Sequence, residues 1–231
     1  MNDLGSRYRI CLRALLIFIV LLFAAVGAYA QRDPLPSWND GPAKKAILSF
    51  VEETTEISSP KYVQLADRVA TFDQDGTLWT EYPLYAQAMF ALERVGQLAP
   101  QHPEWKEQQP FKAVLERDHE AMSKFTEQAW MEIVAATHAG MSTEEFRALV
   151  KQWLATAKAP RFDRPYTDLV YEPMLEVMKY LREKGFKTYI VTGGGQEFVR
   201  VYSEQVYGVP PEQVVGSSIV TSTKSRTANR S

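Results

Sequence analysis

The sequence predicts an α/β fold, a parallel sheet with helices on both faces. Two short apolar runs, Val69–Phe72 and 186–191, each lead into small and polar residues. Strands and a helix alternate after Glu172, which implies parallel pairing with right-handed crossovers. The stretch between the two apolar runs is patterned as helix and is several times longer than a crossover requires. We therefore expect an inserted helical subdomain over 80–171.

The first thirty residues differ from the rest of the chain. Arg7, Arg9 and Arg13 precede an uninterrupted apolar run over 14–26, and small residues flank Tyr29. This pattern predicts a cleaved signal peptide over 1–30 and export to the periplasm or the medium. An uncleaved N-terminal anchor is the alternative, although the run is short for a membrane span. We expect no stable membrane association after cleavage.

Composition narrows the possible partners. The 231 residues are 45% hydrophobic and 23% charged, with a net charge of −2. Without 1–30, which holds three Arg and one Asp, the charge becomes about −4. Such a surface gives no reason to expect nucleic acid as a partner. The single cysteine, Cys11, leaves with the predicted signal, so no disulfide is expected. The oligomeric state is left open.

The remaining elements follow from local patterns. In the lead 31–67, Pro42 is predicted to open a helix over 43–53. Inside the helical stretch, Ser142 and Glu145 form a capping-box signature, which predicts a helix start. A helix over 172–184 ends at Gly185. The second strand is predicted to end before a glycine-rich helix start. One helix then runs through 198–206, and a third strand starts at Val214.

Asp73 and Asp75 follow the first strand directly. Residues two apart in an extended segment point the same way, so both carboxylates can face one bound group. Such a pair can divide nucleophilic attack from proton transfer. A solvated loop is the plain alternative. A calcium loop is excluded because its glycine belongs at position six, whereas Gly76 is at position four.

The second strand leads into Thr192, Gly193, Gly194 and Gly195. Backbone N–H groups at a helix N-terminus, with no side chains in the way, form an anion site. Two carboxylates with an anion cradle suggest phosphoryl transfer from a phosphate monoester. An ordinary left-handed turn is the structural alternative for this run.

The segments 72–77 and 190–193 resemble motifs I and II of the haloacid dehalogenase superfamily. The helical insertion is similar to its C1-type cap, and the Thr-Gly-Gly-Gly run is similar to phosphoserine-phosphatase-like members. The resemblance covers roughly 67–217. It implies a core formed by 68–79 and 172–219 and a helical cap over 80–171. The composition of 220–231, which is rich in Ser, Thr and Arg, predicts a disordered tail.

The resemblance also implies roles for individual residues. Asp73 would attack phosphorus and become an aspartyl-phosphate, and Asp75 would protonate the leaving alcohol and then activate water. Thr192, Gly193 and Gly194 would hold phosphate oxygens. Mg²⁺ would be bound by the Asp73 carboxylate and the Asp75 backbone carbonyl. A small phosphorylated substrate is expected.

The superfamily pattern requires a Lys and an acidic pair after motif II, yet no Asp or Glu occurs over 213–231. We therefore expect a C-terminally truncated form, with the later core strands missing and little activity. A natural truncation, a frameshift and a fragment stay open as causes. A non-catalytic remnant that binds a phosphorylated ligand or a partner is the alternative function. A dehalogenase ranks lower, because a leaving halide needs no acid such as Asp75.

Overall fold

The computed structural model describes residues 33–219. The predicted signal peptide over 1–30 and the predicted tail over 220–231 lie outside the described residues. Short 3-10 turns join several of the elements. In chain order the helices and strands are α1 (Pro42–Thr55), β1 (Val69–Phe72), α2 (Ala86–Leu98), α3 (Phe111–Glu116), α4 (His119–Met122), α5 (Glu127–His138), α6 (Thr143–Leu154), β2 (Lys158–Ala159), β3 (Arg164–Pro165), α7 (Glu172–Glu183), β4 (Lys187–Gly195), α8 (Gln196–Val199), α9 (Ser203–Tyr207) and β5 (Val214–Ser217).

A parallel sheet in the order β1-β4-β5 forms the centre of the fold. Phe72 pairs with Ile190, and Ile190 pairs with Val214. These three side chains are buried in one row of the core. The predicted α/β class and the parallel pairing are thereby confirmed.

The helices cover the sheet face that carries this row. Val177, Met178 and Leu181 of α7 belong to the same buried cluster as Phe72 and Ile190. On the opposite face Val69, Val191 and Val215 keep 50%, 46% and 51% of their surface exposed. The core of the described residues therefore lies on the helical side of the sheet.

The segment 80–171 contains α2 to α6, as its helical pattern predicts. It also contains the β2–β3 hairpin, which was not predicted. Part of it packs around a second apolar cluster that includes Val95, Trp105 and Ile133. The capping box at the start of α6 is confirmed, because the Ser142 and Glu145 side chains each accept the other residue's backbone N–H.

Polar contacts join the N-terminal lead and the helical stretch to the helices around the sheet. In the N-terminal lead, the Ser37 hydroxyl donates to Glu176 on α7 at 2.7 Å. Glu197 on α8 pairs with Arg147 on α6 and with Arg200. The ion pair of Arg147 with Glu197 thus connects the helical stretch to the residues that follow β4.

The end of β4 differs from the prediction. The predicted strand 186–191 is too short, because β4 continues through the glycine run to Gly195. The glycines have no side chains, so β5 can lie alongside this part of β4. Gly195 pairs with Ser217 after an irregularity in the register of the two strands. An added Cβ at Gly216 would lie 2.7 Å from the Gly194 carbonyl oxygen, so this approach also requires glycine in β5.

The single helix predicted over 198–206 is also wrong, because α8 and α9 are separate. The Val201 and Tyr202 amides donate three residues back, to Phe198 and Val199. Such bonds tighten the backbone relative to an α-helix. The Tyr202 ring then stacks on Trp79, with ring centroids 4.7 Å apart.

Within residues 33–219, none of the helices is both long enough and apolar enough to cross a bilayer. The apolar run over 14–26 lies outside this range.

Candidate active site

Asp73 is the first residue after β1, at the edge of the sheet where β1 and β4 both deliver their C-terminal ends. Ligand sites of open parallel sheets lie at this edge. The side chain is exposed, and its Oδ1 accepts the Gln74 backbone N–H at 2.8 Å. Asp73 therefore presents its carboxylate to solvent at the position where chemistry is expected.

Gln74 lies between the two carboxylates and points inward. It is buried, and its Nε2 donates to the Tyr207 hydroxyl at 2.9 Å. Because neighbouring side chains in an extended segment alternate in direction, this anchor turns Asp73 and Asp75 to the other side.

A tight turn carries the chain from Asp75 back towards the core. The Leu78 amide donates to the Gln74 carbonyl, and the Gly76 amide donates to the Trp79 carbonyl, both at 2.9 Å. Gly76 has φ +73°, in the left-handed region that favours glycine. A Cβ there would also meet the Glu81 carboxylate at 2.8 Å.

Asp75 is partly buried beside the indole of Trp79. Its Oδ1 accepts the Trp79 Nε1–H at 2.7 Å. Burial raises the pKa of Asp75, the indole hydrogen bond opposes that rise, and the charges of Asp73 and Glu81 add to it. A carboxyl group in this setting holds a proton more readily than an exposed aspartate.

The glycine run of β4 lies next to Asp75. The Thr192 Oγ1 accepts the Gly194 backbone N–H at 3.1 Å. A Cβ built on Gly194 would lie 3.4 Å from Thr192 Oγ1 and 3.9 Å from Asp75 Oδ2, whereas one on Gly193 would meet nothing within 4 Å. The structure thus brings together Asp75, Thr192 and Gly194 around a space that any side chain would fill.

The anion site predicted at the glycine-rich helix start stays a prediction, and Gly195 is the N-cap of α8. The glycines belong to β4, and α8 begins at Gln196 and has four residues. Any backbone donors to an anion therefore come from the end of a strand. The Gly194 amide already has a partner in Thr192, and the Gly195 amide donates to the Gln87 Oε1 at 2.8 Å.

The carboxylates suit a hard cation. Neither Asp73, Asp75 nor Glu81 forms an ion pair with Lys or Arg among the described residues. Burial is the main cause of the raised pKa of Asp75, and the charges of Asp73 and Glu81 add a repulsion that a nearby positive charge would relieve. No group of three or more His, Cys, Asp or Glu residues that could hold a metal occurs over 33–219. Two carboxylates with water are nevertheless a donor set that Mg²⁺ accepts.

Other candidate residues find plain structural roles. Arg200 donates to Glu197 and to the Val214 carbonyl. Tyr82 and Tyr85 are exposed near the turn. The sequence assigned no role to Gln87, which reaches the site from α2. A glutamine in a helix carries no signal that could have identified it.

Comparisons with known proteins identify the family of the chain. The model of the haloacid dehalogenase-like hydrolase family matches residues 70–228. No curated protein matches the chain. Among solved structures, a phosphoserine phosphohydrolase-like protein from Francisella tularensis subsp. tularensis SCHU S4 is similar, with 15% identity and a TM-score of 0.35. The similarity covers 64% of this chain and 57% of that protein. Because the family model matches more than half of the sequence, the chain belongs to the haloacid dehalogenase-like hydrolases.

Proposed function

We propose that the protein is an exported, Mg²⁺-dependent phosphomonoester hydrolase that acts through an aspartyl-phosphate. One observation carries the proposal. Asp75 Oδ2 and Thr192 Oγ1 both border the space above Gly194, at the sheet edge where Asp73 emerges. Family membership supports hydrolysis as the reaction class.

In the first step an Asp73 carboxylate oxygen attacks phosphorus, and the bond from phosphorus to the ester oxygen breaks. Asp75 gives its proton to that oxygen, so the alcohol leaves neutral. The raised pKa of Asp75 supports this role, because the group must carry a proton when the substrate arrives. Thr192 and the Gly193 amide hold the phosphate oxygens above Gly194, whose own amide donates to Thr192 Oγ1.

In the second step Asp75, now a carboxylate, takes a proton from water. The resulting hydroxide attacks phosphorus, and the bond between phosphorus and the Asp73 oxygen breaks. Inorganic phosphate leaves, and both carboxyl groups return to their starting states. This order matches the geometry, because one aspartate is exposed and the other is partly buried.

The Asp73 carboxylate and the Asp75 backbone carbonyl would hold Mg²⁺. When bound, the ion supplies the positive charge that lets a phosphate approach two carboxylates. The absence of an ion pair at these carboxylates within 33–219 supports the need for such a charge.

The domain organisation belongs to the proposal. Residues 68–79 and 172–219 form the core in this division, and 80–171 form a cap that selects a small phosphorylated substrate. The lead 31–67 packs on the core through contacts such as that of Ser37 with Glu176. Export of the chain rests on the sequence over 1–30.

The test is hydrolysis of p-nitrophenyl phosphate by the full chain, with Mg²⁺ and with EDTA. The Asp73→Asn variant removes the nucleophile and should lose all turnover. The Asp67→Asn variant is the control. It makes the same change of charge at an exposed residue before β1 and should keep the wild-type turnover. Equal rates for wild type and Asp73→Asn would refute the proposed function.

Non-catalytic binding of a phosphorylated ligand is the second candidate. It is favoured by the lack of a three-residue metal group among residues 33–219. Calorimetry with inorganic phosphate separates the two functions. Binding without Mg²⁺-dependent turnover would support the second.

A further inference from the structure

Gln87 joins the helical stretch to the end of β4. It lies in the first turn of α2, and its Oε1 accepts the Gly195 backbone N–H at 2.8 Å across 108 residues of sequence. The same oxygen would lie 3.5 Å from a Cβ on Gly194. Gln87 thus borders the space that Asp75 and Thr192 also border.

Gly195 leaves space for this side chain. A Cβ on Gly195 would lie 2.6 Å from Gln87 Nε2 and 3.1 Å from its Oε1. Real Cβ atoms essentially never come as close as 2.6 Å. The position therefore requires glycine as long as the Gln87 amide stays in place.

A chain of hydrogen bonds fixes which end of the amide faces Gly195. The Thr137 hydroxyl donates to the Ile133 carbonyl at 2.7 Å, so its oxygen accepts from His138 Nδ1 at 2.8 Å. The other ring nitrogen of His138 is then an acceptor, and it lies 3.3 Å from Gln87 Nε2. The amide nitrogen donates to His138, which leaves the oxygen for Gly195.

The protonation state of His138 agrees with this assignment. Burial lowers the pKa of His138 to about 4. The ring is therefore neutral near pH 7 and can accept one hydrogen bond while it donates another.

We propose that Gln87 is a positioning residue, which holds the Gly195 amide and so fixes the end of β4 on which Thr192 and Gly193 meet the phosphate. The inference rests on the proposed function. Because Gln87 on α2 is held in turn by His138 and Thr137 on α5, phosphate affinity should depend on the packing of α2 against α5. A loose amide at Gly195 would let the irregular end of β4 move away from β5.

The test uses the full chain and two readouts. Gln87→Met keeps the length of the side chain but cannot accept from Gly195, whereas Gln87→Glu keeps the acceptor. Gln128→Met changes an exposed glutamine on α5 as a control. Hydrogen exchange of the Gly195 amide is measured by NMR, and affinity for inorganic phosphate by calorimetry.

We expect the Gly195 amide to exchange faster in Gln87→Met and to keep its protection in Gln87→Glu. Phosphate affinity should fall about tenfold in Gln87→Met, as for one lost hydrogen bond, and stay unchanged in Gln128→Met. His138→Phe should give an intermediate loss. The double variant with Gln87→Met should be no worse than Gln87→Met alone.

Wild-type exchange at Gly195 in Gln87→Met would overturn the inference, as would faster exchange with unchanged phosphate affinity. If the wild-type chain itself fails to bind phosphate, the proposed function fails instead. Exchange at Gly195 then still decides whether Gln87 holds β4. If Gln87→Met does not fold, His138→Phe gives the same two readouts.

Discussion

The Trp79 indole N–H donates to the Asp75 carboxylate at 2.7 Å, and the same ring stacks on Tyr202 with centroids 4.7 Å apart. Trp79 is 1% exposed, so core packing holds its indole in place. The indole N–H in turn holds the Asp75 carboxylate in one orientation. Asp75 Oδ1 is occupied by the indole. The other oxygen, Oδ2, lies on the side of Gly194 and is the one that would exchange a proton with the substrate in the proposed reaction.

We predict that Trp79→Phe lowers kcat/KM about tenfold or more. The indole stabilises the Asp75 carboxylate that forms as the proton leaves, and a hydrogen bond to a charged group is worth roughly 1.5–3 kcal/mol. The change should fall mainly on kcat, since Asp75 acts in the chemical step and does not bind the ground-state phosphate.

Trp153 offers a matched control for that variant. Its indole is also buried and donates to Glu93 at 2.8 Å, within the helical stretch. Trp153→Phe removes an indole–carboxylate bond of the same kind. It should lower the melting temperature as Trp79→Phe does while leaving kcat unchanged. Equal losses of kcat in both variants would show that only stability was affected.

The second prediction concerns Asp75 and the leaving group. Asp75→Asn should slow hydrolysis of an alkyl phosphate far more than that of p-nitrophenyl phosphate. An alkoxide needs a proton as it departs, whereas p-nitrophenolate is stable without one. The measurement is kcat/KM for both substrates in wild type and variant, because the second step, which also uses Asp75, does not enter this ratio. An equal fall for both would contradict proton donation by Asp75 in the first step.

Local patterns predicted those parts of the fold that depend on neighbouring residues. The bounds of β1, the capping box at Ser142 and the turn at Gly185 all agree with the structure. The pairing of β1 with β4 also followed, because helix–strand alternation leaves few topologies.

The errors have a different physical origin. Glycine disfavours strands, so the predicted strand ended before the run 193–195, yet the ladder with β5 extends β4 through it. Gln87 was missed because its bond to Gly195 joins residues 108 apart in sequence. Such contacts arise from tertiary packing and leave no periodic trace.

A third prediction tests the space above Gly194. The backbone there is one that alanine adopts, and the new Cβ would have ordinary contacts of 3.4, 3.5 and 3.9 Å. Gly194→Ala should therefore fold with a melting temperature near that of wild type. It should bind inorganic phosphate at least tenfold more weakly by calorimetry, because the methyl group fills the cradle. Gly96→Ala, in open space on α2, is the control and should bind normally.

The final prediction concerns stability and pH. His138 has a folded pKa of about 4, below the 6.5 of an ordinary histidine, because burial disfavours its charge. Below pH 6.5 the unfolded chain binds a proton that the folded chain does not. This contribution to stability therefore falls as pH decreases from about 6.5 to about 4, by roughly 3 kcal/mol in all.

His138→Phe should remove that part of the slope, because phenylalanine does not titrate and keeps the ring contacts with Phe90 and Phe146. The charged group that acts on the ring is Arg94, which also opposes protonation. Urea unfolding at several pH values between 4 and 7 measures the slope, with His119→Gln as an exposed control on α4. A slope that is the same in wild type and His138→Phe would mean that other groups cause it. That result would also remove the support that a neutral His138 gives to the orientation of Gln87.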